Sequence, residues 1–283
     1  MDISYAARVM RVSFISELKL VTRYVSIPGM LGFNIAVPFF FVLSSWIVAN
    51  IVTGPSGYSA YFTSLTGMTD YLAFVTIGFA FNTFIFSTAF GGAHAIRGEQ
   101  EQGTAELVFL TPSNKIAWLM GKMFGNQVFG IFGFAVLLGS GFFLFGYRPQ
   151  ASPDIAAASV AIVLSIAAMA ALGFVLAGIC FFAKREEELS QVLWPTFTFF
   201  CGLAFPVQIL PSWGQTIAYL IPLTYGVDAT RRALILGVGL ADLVMIQDLL
   251  MLLVQVFVLL PLGLLVFSRL EREARRTGVL GTY

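Results

Sequence analysis

Charge is what this sequence has least of. Only 11% of its 283 residues are charged, against roughly 25% in an ordinary soluble domain. It has one histidine, His94, and two cysteines, Cys180 and Cys201. A single histidine does not build a metal centre, which takes several ligands. Both cysteines fall inside apolar runs, where a free thiol packs as a small hydrophobe, and two such residues imply no disulfide framework. No G-x-x-x-x-G-K-[ST] phosphate loop occurs, so the chain lacks that route to ATP. No Asp, Glu, Lys or Arg lies near the middle of a long apolar run, which removes the intramembrane relay expected of ion-coupled carriers and membrane-embedded hydrolases. Lys122 lies within a few residues of the end of its run and is expected to snorkel to the boundary. No internal repeat is evident, which argues against inverted-repeat transporters. The net charge of +1 gives no reason to expect a nucleic-acid partner. No residue takes a catalytic or metal-binding role.

What is abundant is apolar surface: 58% hydrophobic residues, 29 Phe and 27 Gly, with a mean hydropathy of +0.87. Apolar runs occupy 28–52, 71–95, 117–146, 155–183, 191–209 and 247–268, each near the twenty or so residues that cross a bilayer as a helix. The expected fold is an all-α membrane protein with six transmembrane helices in a domain spanning 26–268. Asp70 and Asp154 stand where N-caps belong, Pro153 and Pro195 where helices begin, and Gly54-Pro55-Ser56-Gly57 makes a turn. The run 155–183 is rich in Ala and Gly, which lets helices approach closely in lipid, and so belongs inside the bundle. Gly121 and Gly125 have the spacing of a helix contact.

Residues 1–25 carry Arg8, Arg11, Glu17, Lys19 and Arg23, which rules out the apolar core of a cleavable signal peptide. Ile3, Ala7, Met10, Phe14, Leu18, Val21 and Val25 form one stripe at 100° per residue and the basic residues gather roughly opposite. This is the pattern of an interfacial amphipathic helix on an anionic membrane surface. Six spans with both termini in the cytoplasm place thirteen of the sixteen basic residues inside, as the positive-inside rule requires. Letting 210–240 span would reduce that number to eleven. The segment is broken by Pro211, Gly214, Pro222 and Gly226 and reads as an outward-side re-entrant hairpin. Residues 269–283 form a basic cytoplasmic tail. The expected location is the plasma or inner membrane.

The largest cytoplasmic loop, 96–116, contains a short helix with explicit signals. Thr104 is placed to cap it, Glu106 sits in its first turn and Thr111-Pro112 ends it. Leu107, Val108, Phe109 and Leu110 then leave an apolar face on a polar loop, to be covered either by the chain's own bundle or by a partner.

The run Glu101-Gln102-Gly103-Thr104-Ala105-Glu106-Leu107, followed by Leu110-Thr111-Pro112-Ser113 and by Gly121-Lys122, resembles the permease signature of the ABC-2 transporter family. Ile221-Pro222-Leu223-Thr224-Tyr225-Gly226-Val227 with Arg231, and the basic stretch Arg269 to Arg276, agree with it in order and spacing. The resemblance implies an exporter permease in which two membrane subunits, a homodimer, pair with two copies of an ABC ATPase. It also implies that the loop is a coupling helix seated on that ATPase through Glu99, Glu101, Gly103, Thr104, Glu106, Leu107 and Pro112. ATP and Mg2+ would be held by the partner ATPase, with no cofactor on this chain. Lys184 to Glu188 form a second inner loop that either touches the ATPase or stays solvated.

In such a dimer the substrate path would run between subunits, along Asn34, Phe40, Asn82, Thr83, Phe197 and Thr198. Aromatic walls with uncharged polar groups suit an amphipathic, lipid-like or drug-like molecule, although Phe also serves as lipid-facing filler. Polysaccharide or glycolipid export is the alternative within the class. An ATPase-independent channel or secondary carrier and a membrane-anchored assembly scaffold are the alternatives outside it.

Overall fold

The computed structural model describes residues 3–24, 59–143, 150–181 and 186–277, with scattered helical positions between 39 and 51. Everything described is helix or turn. Helix α1 (Ile3–Tyr24) is followed by a short α2 (Ala60–Thr66), closed by Gly67 at φ 71°. Next come α3 (Tyr71–Phe84), a π-helical turn at Ile85–Ala89, α4 (Gly91–Glu101) and the six-residue α5 (Ala105–Leu110). The long helices α6 (Lys115–Phe143) and α7 (Ile155–Cys180) precede α8 (Glu186–Phe200), α9 (Ser212–Leu220), α10 (Pro222–Ile235) and α11 (Leu243–Thr277).

Local chemistry explains the helix starts. The Asp70 carboxylate accepts from the Ala73 N–H at 3.0 Å and that of Asp154 from Ala157 N–H at 2.8 Å, so both expected caps satisfy a donor that the first turn leaves free. Pro195, in contrast, lies inside α8 rather than at its start. The Gly-x-x-x-Gly pair does mark a helix contact. A Cβ on Gly121 would stand 2.3 Å from the Met10 carbonyl oxygen, and one on Gly125 would stand 2.7 Å from Glu17 Cβ, so α1 lies along α6 at a distance only glycine permits. Helix α7 is the central element as its small residues imply, packing against α11, α10 and α4. Its Ala171 carbonyl would sit 2.5 Å from a Cβ on Gly263 of α11.

Among the described residues, four helical stretches are long and apolar enough to cross a membrane: Tyr71–Ala89, Lys115–Phe143, Ile155–Cys180 and Leu243–Thr277. Of the other two expected runs, 28–52 falls largely outside the described residues. In the run 191–209, residues 191–200 belong to the 15-residue α8, which stops where Gly202 turns to φ 66° and is followed by a 3₁₀ turn at Val207–Ile209. At 1.5 Å per residue α8 is about 22 Å long, shorter than a bilayer core of about 30 Å. The stretch 210–240 is two helices, α9 and α10, meeting at Ile221. The basic stretch after residue 268 continues the helix of α11 as far as Thr277. An aromatic core built from Phe74, Phe81, Phe84, Phe134 and Phe197 holds α3, α6 and α8 together. A second core, containing Phe109, Trp118, Phe174, Phe181 and Phe267, joins α5 to α6, α7 and α11.

Candidate functional site

The 96–116 loop is built as an inside and an outside. Helix α5 is only six residues long and would be marginal alone, so tertiary contacts must hold it. On its inner side Phe109 is fully buried, meeting the rings of Trp118 at 5.5 Å and Phe181 at 5.1 Å. Phe181 continues to Phe267 at 5.7 Å. One ring therefore links the loop to the start of α6, the end of α7 and the body of α11. The carbonyls left over at the end of α5 are gathered by Lys115. Its Nζ donates to the Val108 carbonyl, to the Thr111 carbonyl at 2.8 Å and to Ser113 Oγ at 2.7 Å.

The start of α5 is anchored differently from the sequence expectation. Thr104 is the first residue before the helix but makes no side-chain cap. Gly103, at φ 68°, turns the chain, and Thr104 Oγ1 donates back to Glu99 Oε2 at 2.5 Å while the Thr104 N–H bonds the Glu99 carbonyl at 2.9 Å. The other oxygen of Glu99 lies 3.3 Å from Lys122 Nζ, which also holds Glu17 Oε2 at 3.0 Å. Lys122 thus does not snorkel. It is buried because two carboxylates reach it, one from α1 and one from the end of α4, which meets the condition for keeping a charge away from water. The result is a four-residue joint, Glu17, Lys122, Glu99 and Thr104, tying α1, α6, α4 and α5 together.

The outer side is the complement. Leu107 is 69% exposed and Leu110 73%, and Glu101, Gly103, Glu106 and Pro112 are exposed beside them. Glu101 pairs with Arg97 at 3.0 Å across one helical turn. The seven residues expected to face a partner therefore divide: Glu99 and Thr104 turn inward, and Glu101, Gly103, Glu106, Leu107 and Pro112 turn outward. Lys122, which the signature includes, belongs to the same unit, as do Lys115 and Glu17, which the sequence pattern does not single out as part of it. A signal is present, since a lysine inside an otherwise apolar helix needs a partner, but nothing in the spacing says which acid supplies it.

The residues expected along a substrate path are distributed as follows. Asn34 lies outside the described residues, and Phe40 is exposed. Asn82 on α3 accepts from Trp194 Nε1 at 2.9 Å and Thr198 Oγ1 at 3.3 Å, and Phe197 sits against Phe90. Asn82, Phe197 and Thr198 thus meet at one α3–α8 seam. Thr83 is turned away and donates to the Gly130 carbonyl on α6 at 3.1 Å. Residues 182–185 and the side chains at 186–189, which include the second inner loop, lie outside the description.

After Lys115 and Lys122, a third buried cation is one whose burial the sequence pattern does not signal. Arg231 on α10 is 1% exposed. It donates to the carbonyls of Phe74 at 2.9 Å, Gly202 at 3.0 Å and Leu203 at 2.8 Å, with Asp228 3.5 Å away, and its guanidinium stacks over the Phe74 ring at 3.4 Å. Burial pushes it down to about 10 with Asp228 opposing, which leaves it charged at neutral pH. Charge counting assigns this arginine to an outward-side hairpin, where water would be its expected partner; three carbonyls take that place.

Among the described residues there are thus four helices apolar and long enough to span a membrane, and a loop helix packed on one side and bare on the other. Residues 33–265 match the ABC-2 family transporter protein family, and the chain belongs to that family. It is therefore the membrane-embedded component of an ABC transporter, and the family implies partnership with an ABC ATPase subunit. No curated protein shows significant similarity to the chain.

Proposed function

We propose that this chain is the permease of an ATP-driven exporter, that α5 is the coupling helix on which its ATPase seats, and that two permease copies work with two ATPase copies. The observation that carries this reading is the division of α5. Leu107, Leu110, Glu101 and Glu106 are free to be covered by a partner, while Phe109, Lys115 and Glu99 connect the same helix rigidly to α6, α7, α11 and α1. A push on the outer face has no slack to take up, because packed interiors transmit displacement rather than absorb it. ATP binding would close the ATPase pair and the loop would pass that closure to the spans, in an alternating-access cycle.

The same reading puts six spans across the plasma or inner membrane, counting 28–52 and the α8 region, with both termini and the 96–116 loop in the cytoplasm. Helix α1 lies at the cytoplasmic boundary, where its basic face meets anionic headgroups. Helices α9 and α10 lie on the outer side. The substrate is an amphipathic, lipid-like or drug-like molecule moving along the seam that holds Asn82, Phe197 and Thr198. Asn34 and Phe40 complete the path. ATP and Mg2+ belong to the ATPase.

The experiment is co-purification of the chain with its ATPase in lipid, following ATP hydrolysis for wild type and for a Glu101→Ala, Glu106→Ala double variant. Loss of binding or of stimulation in the variant supports the seat on α5. If solute moves with no ATPase present, the exporter reading falls and a secondary carrier replaces it.

A further inference from the structure

A groove of about 480 Å3 runs between α1 and α6, lined by Met10, Arg11 and Phe14 on one side and by Phe124, Gln127, Val128 and Ile131 on the other. It lies just past the place where α1 meets Gly121 and Gly125. Its size falls within the range of sites that hold small ligands. From Phe124 to Ile131 the wall rises about 10 Å along α6, leading away from the charged joint at Lys122 and into the apolar part of the span. Phe124, Val128 and Ile131 are each 43–50% exposed, so this face of α6 is open along the groove.

Two features identify the chemistry of an occupant. First, the walls are almost wholly apolar, and Arg11 contributes its aliphatic stem while the residue itself is exposed at the rim, the posture of a side chain that keeps its charge at a polar boundary. Second, the exposed charge of α1 has one sign. Arg8 and Arg11 lie one turn apart, Lys19 is exposed further along, and the helix's acid, Glu17, is turned inward to Lys122.

We infer that the α1–α6 groove is a binding site for one anionic phospholipid of the bilayer. Its phosphate rests on Arg8 and Arg11, and one acyl chain lies along Phe14, Phe124, Val128 and Ile131. The order of groups along the groove is that of the lipid itself: cations at the rim, then apolar wall. A second copy of this chain fits less well, because a two-fold contact would set the basic face of α1 against itself. A bound lipid there would fasten α1 to α6 beside the joint that holds the coupling loop.

The test uses the full chain in phosphatidylcholine nanodiscs doped with phosphatidylglycerol, with retained lipid read by native mass spectrometry. Wild type is expected to retain one phosphatidylglycerol per chain. Arg11→Gln, a change at an exposed position that leaves packing intact, should lower the preference for phosphatidylglycerol over phosphatidylcholine roughly five-fold, the effect of one surface cation. Arg272→Gln, far along α11, should leave it unchanged. Val128→Trp should reduce retention of both lipids by filling the groove. A benzophenone amino acid at Phe124 should capture a phospholipid mass on irradiation. The inference is overturned if Arg11→Gln and Arg272→Gln behave alike, if Val128→Trp retains lipid as wild type does, or if the crosslink yields only protein, whether a second copy or the chain's own segment before residue 59.

Discussion

Two buried cations, Lys122 and Arg231, sit towards opposite ends of the α3–α4 stretch and are held in opposite ways. Lys122 is neutralised by carboxylates from two other elements, Glu17 at 3.0 Å and Glu99 at 3.3 Å. Arg231 is held mainly by three backbone carbonyls, from the start of α3 and the turn after α8, with its one acid at the limit of contact. A side-chain ion pair can exchange partners, because each member has its own rotamers. A fork of N–H groups on fixed carbonyls cannot, and it suits the planar guanidinium rather than an ammonium. Under the proposed coupling, the Lys122 joint lies where the loop would move with its neighbours, and the Arg231 clasp where α3, α8 and α10 would stay together. Gly78 completes the clasp, since a Cβ there would stand 2.0 Å from the Leu203 carbonyl oxygen and 2.4 Å from Arg231 Nη2.

The comparison breaks or sharpens through four measurements. The largest expected effect is Arg231→Ala, which strands three carbonyls and should cost about 3–5 kcal/mol, the penalty of breaking a buried charged network. Arg231→Lys should recover little of it in a thermal melt in detergent, and full recovery by lysine would show that the carbonyl fork is not what holds the clasp. Phe109→Ala comes next, at about 3 kcal/mol for a truncated buried ring. It should also uncouple ATP hydrolysis from the bundle without abolishing ATPase binding, read by comparing co-purification with stimulated hydrolysis. Third, a double-mutant cycle between Lys122→Met and Glu99→Gln should give a coupling of about 1–2 kcal/mol, within the range of contacting pairs. Strict additivity would sink the joint. Smallest in stability is Leu107→Ser on the outer face, expected to fall within about 0.5 kcal/mol of wild type as exposed positions do, yet to weaken ATPase binding several-fold.

Much of the architecture is legible in the amino-acid order alone. Apolar runs locate four spans to within a few residues, because a membrane helix must be apolar over a fixed length whatever it packs against. The caps at Asp70 and Asp154 and the glycine contact at Gly121 and Gly125 are legible for the same kind of reason, being local requirements written at fixed spacing. The loop signature is visible as a motif, and so is its family. Where local pattern misleads, the answer lies with other parts of the chain. Thr104 stands where a cap for α5 belongs, but Glu99 takes its hydroxyl. Pro195 stands where a helix could open, but upstream residues extend α8 past it. Lys122 is close enough to a helix end to reach water, but Glu17, about a hundred positions away, meets it first. Within the run 191–209, Gly202 turns the chain and Arg231 holds that turn by its carbonyls, a break that hydropathy does not register.

Taken alone, the sequence determined that this is a helical membrane protein of the ABC-2 type, with apolar spans and a short helix in its largest loop, because hydropathy, capping and motif spacing act along the chain. The tertiary structure alone decided which face of that short helix is bare, which carboxylates neutralise Lys122, and that Arg231 is interior. Those outcomes depend on which carbonyl or carboxylate another helix brings within hydrogen-bond reach, and a buried charge is tolerated only where one does.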